Sequence, residues 1–254
     1  MSAPELAKLQ RPPAYKLVYQ AIEREIFAGR LRVGDRLPAE NTLAQQLGVN
    51  RSTVREGIRL LEQTGLVERE GGKRPRIALP HYMDLASRAS RALVLHSVSF
   101  RELWEASVLI EPMTAVLAAQ RRSDEHIERL TTNLQDMAAA IEKHERGVGD
   151  DSDFVKLDIE FHEILSEAAD NRVLQLAREP IRNLFLSAGR LILPRLRTHR
   201  RVLDAHRALF EAVQSQQPEK VREWMTRHIE DFKRGYERTG LNMDDAIDKL
   251  QSRF

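Results

Sequence analysis

LPAENTLAQQLGVNRSTVREGIRLLEQTG, residues 37–65, contains two short amphipathic segments that meet at a tight turn. In the first, Glu40 to Leu47, the side chains of Leu43, Ala44 and Leu47 fall on one helical face. Gly48 follows, and glycine reaches the left-handed conformation that closes a helix at little steric cost. Val49 fills the corner, and Asn50 or Arg51 opens a second helix with an apolar stripe of Val54, Ile58, Leu60 and Leu61. Arg51, Ser52, Thr53 and Arg55 are left facing outward at its start. Two guanidinium forks and two hydroxyls at the positive end of a helix suit a DNA major groove. Arginine reaches guanine edges and phosphates, and the hydroxyls reach phosphates or bases. The spacing predicts a helix-turn-helix with its recognition helix at Arg51–Thr64.

A helical hairpin with a solvated basic end has the same spacing, so the residues that follow decide. Leu66 to Glu70 alternates like a strand, Gly71 to Pro75 is turn chemistry with two cations, and Arg76 to Leu79 reads as a return strand. A basic-tipped hairpin after a recognition helix is a wing. Charge agrees. Residues 1–80 carry 14 Lys and Arg against 9 Asp and Glu, and the remainder 26 against 29. Cations concentrated in one small domain gain affinity by displacing phosphate counterions.

The stretch GRLRVGDRLPAENTLAQQLGVNRSTVREGIRLLEQTGLVEREGGKRPRIA resembles the GntR family of bacterial transcriptional regulators, most specifically in LPAE, VNRSTVRE and LLEQTGLV. The resemblance implies DNA contacts by Arg51, Ser52, Thr53 and Arg55. We place Arg36, Asn41, Gly72 and Lys73 on the same DNA-facing side. Asn41 stands where the family often has a basic residue, and Gly71 where some members have a wing histidine.

The length of 254 residues points to two domains. No apolar run approaches membrane-spanning length, and the N-terminus lacks the apolar core of a secretory signal. With no cysteine there are neither disulfides nor thiolate metal sites, which fits a bacterial cytoplasmic protein. The fold class expected is mostly α. A winged helix-turn-helix domain with a small β-wing covers 1–80, and a linker with a first connecting helix covers 81–98. An all-α bundle of six or seven helices covers 99–240, and a tail covers 241–254.

Within the bundle, Ser99 and Glu102 form a capping box, and Pro112 predicts a kink or break in the long helix they open. A helix follows from Ser123, with Ile127, Leu130, Leu134, Met137 and Ile141 inward, then a polar loop over His144–Asp153. Further helices are expected over Phe154–Ala169, from Asn171 until Pro194 ends the segment, over Arg197–Ser215 and over Pro218–Tyr236.

Asp158 and His162 lie one turn apart on one helix face. His206 and His228 each sit in the apolar stripe of their own helix. Three inward imidazoles and a carboxylate are expensive to bury unpaired, and a divalent metal gathers such groups. A single histidine on an apolar face is more often a satisfied core residue, and spacing alone leaves both readings open. His81, His96, His126, His144 and His199 have no such company and receive no role.

The segment from Phe100 to Phe232 resembles the FCD effector domain of the FadR-type branch of the family. FRELWEASVLIEPMTAVLAA, LDIEFHEILSEAADNRVL and HRALFEAVQSQQPEKVREWMTRHIEDF carry the likeness. The resemblance implies metal ligation by an Asp-x3-His pair and two later histidines, here Asp158, His162, His206 and His228. The metal expected is divalent, zinc first, with nickel, iron or manganese as alternatives. Carboxylate-sensing members often carry an arginine where this chain has Ser107, which cannot hold a carboxylate by a bidentate charged pair. Arg190, Arg195 or Arg197 could substitute, and Ser107 and Arg190 are assigned to the effector pocket.

The function expected is a non-enzymatic, metabolite-responsive regulator, most often a repressor in this family. It would bind a pseudo-palindromic double-stranded operator as a homodimer, with an organic acid one candidate effector and no membrane partner. The alternatives are a regulator that senses the metal ion itself and a helical-bundle metalloenzyme. Glu160 and Glu163 project to other sides of the helix that bears Asp158 and His162, leaving the enzyme reading without an evident acid–base group.

Overall fold

The computed structural model describes residues 12–71, 73–80, 82–196 and 198–247, without the side chains of 82–83, 186–187, 190–191 and 193–195. The chain divides into two compact units, Met1–His81 and Tyr82–Phe254.

In the first unit, α1 (Ala14–Phe27), α2 (Glu40–Leu47) and α3 (Arg51–Gln63) precede a hairpin of β1 (Val67–Glu68) and β2 (Arg76–Ile77). Gly48 closes α2 at φ 65°, and the Asn50 side chain caps α3 by accepting from Thr53 N. The buried core is Val54, Ile58 and Leu61 of the predicted α3 stripe, whose fourth member Leu60 is only partly covered and stays outside it, set against Val18, Ile22, Leu37, Leu43, Val67 and Ile77. Leu17 stays outside it, about half exposed. The segment before α2 is more than a loop. Gly34 N donates to Ile77 O, Ile77 N to Asp35 O and Leu37 N to Pro75 O, so it runs along the free edge of β2.

Helix α3 lies against α1 at Gly57. A Cβ there would stand 2.6 Å from Val18 Cγ1 and 3.0 Å from Tyr15 O. Closeness of the two backbones sets the pitch at which α3 is presented.

Among the described residues the second unit is seven helices: α4 (Tyr82–Leu95), α5 (Phe100–Arg121), α6 (Asp124–Glu145), α7 (Asp151–Ala168), α8 (Arg172–Leu196), α9 (His199–Gln214) and α10 (Pro218–Arg238). Ser99 and Glu102 form the expected capping box, and Pro218 opens α10. One apolar core joins α5, α6, α7, α9 and α10, and a second gathers Phe100, Ala188, Ile192 and Tyr236. Phe100 stacks on Tyr236 with ring centroids 3.7 Å apart.

Three expectations need correction. The segment from Asn171 does not end at Pro194, since α8 runs through Pro180 and Pro194 to Leu196; of the two outcomes expected at Pro112 the break is absent, α5 continuing to Arg121. A proline inside a helix costs about 3 kcal/mol, and at Pro112 burial of the whole face outweighs it. The polar loop is shorter than its composition suggests, since α6 extends to Glu145 and α7 starts at Asp151 behind an Asp150 cap. His126 is not idle either. Ser123 N donates to its Nδ1, making it the second half of a capping box at the start of α6.

The described part of the tail docks. Arg101 N donates to Met243 O, Ile247 N donates to Val98 O, and Met243 and Ile247 are buried. Leu250 lies outside the described residues.

Gly57→Ala tests the α1–α3 contact. Alanine improves helix propensity by about 1 kcal/mol, but overpacking against Val18 and a backbone carbonyl costs about 1–3 kcal/mol. The first unit should therefore melt earlier in a thermal scan, while the helical unit melts as before.

Candidate functional site

On the first unit, the outward residues of α3 are already engaged. Arg51 Nε donates to Glu40 Oε2 at 2.8 Å, and Arg55 Nη2 to the same oxygen at 3.2 Å. Both arginines stay largely exposed, whereas Glu40 is mostly covered. The Arg51 hydrogen bond, joined by Arg55, holds the Glu40 carboxyl below its usual range. Ser52 Oγ and Thr53 Oγ1 both donate to Asn50 Oδ1. The sequence reading placed these four groups outward, but their mutual ordering through Glu40 and Asn50 was not in it. Arg36, Asn41 and Lys73 are exposed; Arg36 pairs through its backbone with Arg76, which itself binds Glu70. Gly72 lies outside the described residues.

In the helical unit, Asp158 and His162 of α7, His206 of α9 and His228 of α10 come together, with one donor atom from each inside a 4.8 Å sphere of mutual distances. His162 Nε2 is 3.1 Å and His206 Nε2 3.3 Å from His228 Nε2. Asp158 Oδ1 is 3.5 Å from His206 Nε2. His206 is fully buried and lies flat on Phe161, at 4.1 Å between ring centroids. His228 Nε2 faces both neighbours but carries only one N–H or one in-plane lone pair, so it makes one well-directed hydrogen bond and at best a shared second. The Nδ1 atoms of His162 and His206 are also buried without a hydrogen-bond partner.

Burial pulls the His162 and His206 imidazoles well below their usual value, with nearby cationic character adding to it. Burial takes His228 down to about 4. Asp158 moves the other way, up to about 7, through burial, with Arg178 opposing and Glu111 reinforcing. All three imidazoles are therefore neutral at physiological pH and present lone pairs, as a borderline divalent ion requires. Three imidazoles and one carboxylate, from three helices, fit such an ion.

A cavity beside this cluster is lined by Ser107, Glu111, Asp158, His162, Arg178 and His228. Ser107 is buried with its Oγ unpartnered. The guanidinium that α5 lacks comes instead from α8. Arg178 Nε donates to Glu111 Oε1 at 2.6 Å, while Arg178 Nη1 is buried without a partner. Arg182, one turn on, also lines the cavity and is held by Glu163 and Glu179. Sequence reasoning missed both. Their spacing of four, with Phe185 another near-turn on, was the available signal. The side chain of Arg190, and Arg197 altogether, lie outside what the structure describes.

The structure also gathers His144, Asp151 and His199, to which the sequence reading gave no role.

A winged helix-turn-helix ahead of a helical unit whose cavity reaches buried charged side chains defines a class of DNA-binding regulatory protein. The chain belongs to the GntR family of bacterial transcriptional regulators: the family model for bacterial regulatory proteins, gntR family, matches residues 14–77, and the FCD domain model matches residues 102–231. It is 25% identical to the HTH-type transcriptional repressor NanR of Cronobacter sakazakii, over 87% of this chain and 84% of that protein. It is 27% identical to the HTH-type transcriptional regulator LutR of Bacillus subtilis, over 82% of this chain and 95% of that one. A solved GntR protein of Streptococcus agalactiae superposes with a TM-score of 0.58 at 25% identity, covering 87% of this chain and 99% of that chain. The chain is thus a DNA-binding transcriptional regulator, and its family consists of regulators rather than enzymes. Among the described residues no helix is long and apolar enough to cross a membrane.

The site makes a pH prediction for metal-free protein. Each depressed imidazole contributes stability that is present above its unfolded value of 6.5 and lost as pH falls toward the folded value, about 4 for His228. The raised Asp158 opposes this, its contribution being lost as pH rises from 3.8 through about 7. Three imidazoles outweigh one carboxylate, so thermal stability should fall as pH drops from 6.5 to 4. His206→Leu removes one of the three and should both flatten that slope and stabilise the metal-free chain.

Proposed function

We propose that this chain is a metabolite-responsive repressor whose operator affinity is set by a small anionic molecule bound in the α5–α7–α8–α10 cavity, beside a divalent metal. The observation that carries the reading is the buried Arg178 Nη1, unpartnered and lining a cavity that also contains His162 and His228. Asp158, His162, His206 and His228 would hold the metal, zinc first given imidazole and carboxylate donors, with nickel, iron or manganese as alternatives. When bound, that ion would supply positive charge toward an oxygen of the effector. Glu111 orients Arg178 through its Nε, so the fork presents its remaining edge to the cavity. Arg182 adds a second positive charge. The arrangement favours a carboxylate or similar anion.

DNA recognition is assigned to Arg51, Ser52, Thr53 and Arg55, with Arg36, Asn41, Gly72 and Lys73 alongside. The operator is proposed to be pseudo-palindromic and the active species a homodimer, since two-fold half-sites match a two-fold protein. Leu109 and Met113, one turn apart on α5, and Val173 and Leu176 on α8 are exposed apolar side chains that support self-association.

A thermal-shift screen of small carboxylates, with and without chelator, tests the effector site. A ligand that binds only native protein raises the melting temperature. A hit should be lost with chelator and weakened at least ~10-fold in Arg178→Lys, which keeps the charge but not the fork. A hit indifferent to both changes would overturn the site, and a metal that alone shifts operator affinity would favour direct metal sensing.

Arg51→Ala and Arg55→Ala should each weaken operator binding by about 1–3 kcal/mol in a gel-shift titration, and unchanged affinity in both would remove the assignment. Glu40→Gln separates positioning from charge. It should strengthen binding to random DNA and narrow the gap between operator and random sequence.

A further inference from the structure

The second histidine cluster lies where the last turn of α6, the first turn of α7 and the start of α9 meet. Asp151 Oδ1 is 2.9 Å from His199 Nε2 and 3.3 Å from His144 Nδ1. Close as they are, all three atoms are buried without a hydrogen bond of good geometry. His199 is 7% exposed and Asp151 is largely covered. A plain Asp–His ion pair accounts for one of these contacts. The same carboxylate oxygen faces a second ring nitrogen, at 3.3 Å, that makes no hydrogen bond of good geometry.

We propose that His144 Nδ1, Asp151 and His199 Nε2 form a second divalent transition-metal site, for zinc or a similar borderline ion, with water completing the coordination. Metal–ligand bonds of about 2.0–2.2 Å in a tetrahedral site put donor atoms roughly 3.3–3.6 Å apart; the His144–Asp151 contact of 3.3 Å falls in that range and the Asp151–His199 contact of 2.9 Å is shorter. Two imidazoles and a carboxylate favour zinc, nickel or copper over calcium or magnesium. The last turn of α6 adds the negative end of a helix.

The placement repeats the first cluster. Asp151 precedes Asp158 on α7, and His199 precedes His206 on α9, by seven residues in each case. Seven residues are about two turns, roughly 10 Å along a helix, so the same faces of α7 and α9 meet twice and bring Asp to His each time. The surroundings fix the donors. Phe154 meets the His199 ring edge-on at 4.7 Å. Arg200 binds Glu145 through two hydrogen bonds of 2.7 and 2.5 Å, tying the start of α9 to the end of α6. An ion here clips the 146–150 loop to α9 and fixes the register of the helices that carry Asp158 and His206.

Full-length chain, stripped with chelator and titrated with zinc alone, gives the test, with bound metal counted by elemental analysis. Wild type should take up two ions per chain. His144→Ala, at a partly exposed position, and Asp151→Asn, of equal volume, should each take up one fewer, with metal-free melting close to wild type. If His144→Ala folds poorly, the count on Asp151→Asn decides. Uptake left unchanged by these substitutions overturns the proposal, whether wild type binds one ion or two. The first centre is scored separately. In His206→Leu an ion that His144→Ala then removes supports the second site even if the first fails to bind, whereas no uptake at all in His206→Leu counts against it.

Discussion

Neutral imidazole carries one proton and two nitrogens, and the helical unit sets His162 Nε2 and His206 Nε2 both against His228 Nε2. One N–H or one lone pair on His228 Nε2 cannot give both neighbours a well-directed hydrogen bond. An apolar side chain at His206, already stacked on Phe161 and fully covered, would fill the same space without a polar debt. The surrounding core is ample enough to tolerate the arrangement: Phe161, Leu165, Leu209, Val213 and Met225 are all sealed around it. Stability elsewhere thus supports a locally unfavourable cluster, the pattern expected where a site is organised for something it binds.

The reading head solves a different problem with the same economy of residue types. Two arginines on an exposed helix would sample many rotamers, and fixing them on DNA would cost entropy at binding. Glu40 limits that freedom beforehand by accepting from both. The cost is competition, because phosphate or guanine must match what the carboxylate already offers. Exposed ion pairs contribute little to stability, so the clamp acts on presentation rather than on folding. Asn50 does the same for Ser52 and Thr53 while capping α3.

What could be read in the sequence follows from how local each signal is. Helix α2 is bounded as expected because Gly48 must adopt a positive φ, a constraint written in one residue. Of the first cluster, His206 and His228 stood out because each interrupts an apolar stripe, but it was the family resemblance that joined them to Asp158 and His162 as one set. Arg178 was not, since an arginine four residues from another on a polar-looking segment is ordinarily solvated, and only packing of α8 on α5 turns it inward. His144 and Asp151 were lost to composition: Gly147, Gly149 and three aspartates suggested a loop, whereas Asp150 caps α7 and brings Asp151 inside the first turn. Pro194 misled for a related reason. Proline weakens a helix locally, and the packing that overrules it is non-local.

The proposed regulation requires that effector binding favour one arrangement of the protein over another. Helix α8 is the element in the helical unit best placed to convert occupancy into movement. It carries Arg178 and Arg182, and α4 lies along it. Ser90 of α4 is buried, and its hydroxyl reaches Pro180 O at 3.2 Å, two residues from Arg178. Pro180 has no N–H to give, so α8 is short of one internal hydrogen bond within this turn. A ligand that draws Arg178 Nη1 toward the cavity pulls on the turn of α8 that lacks a backbone bond and that α4 rests upon. Since α4 is the first helix after the boundary at His81, that turn is where a change in the cavity becomes a change at the start of the unit.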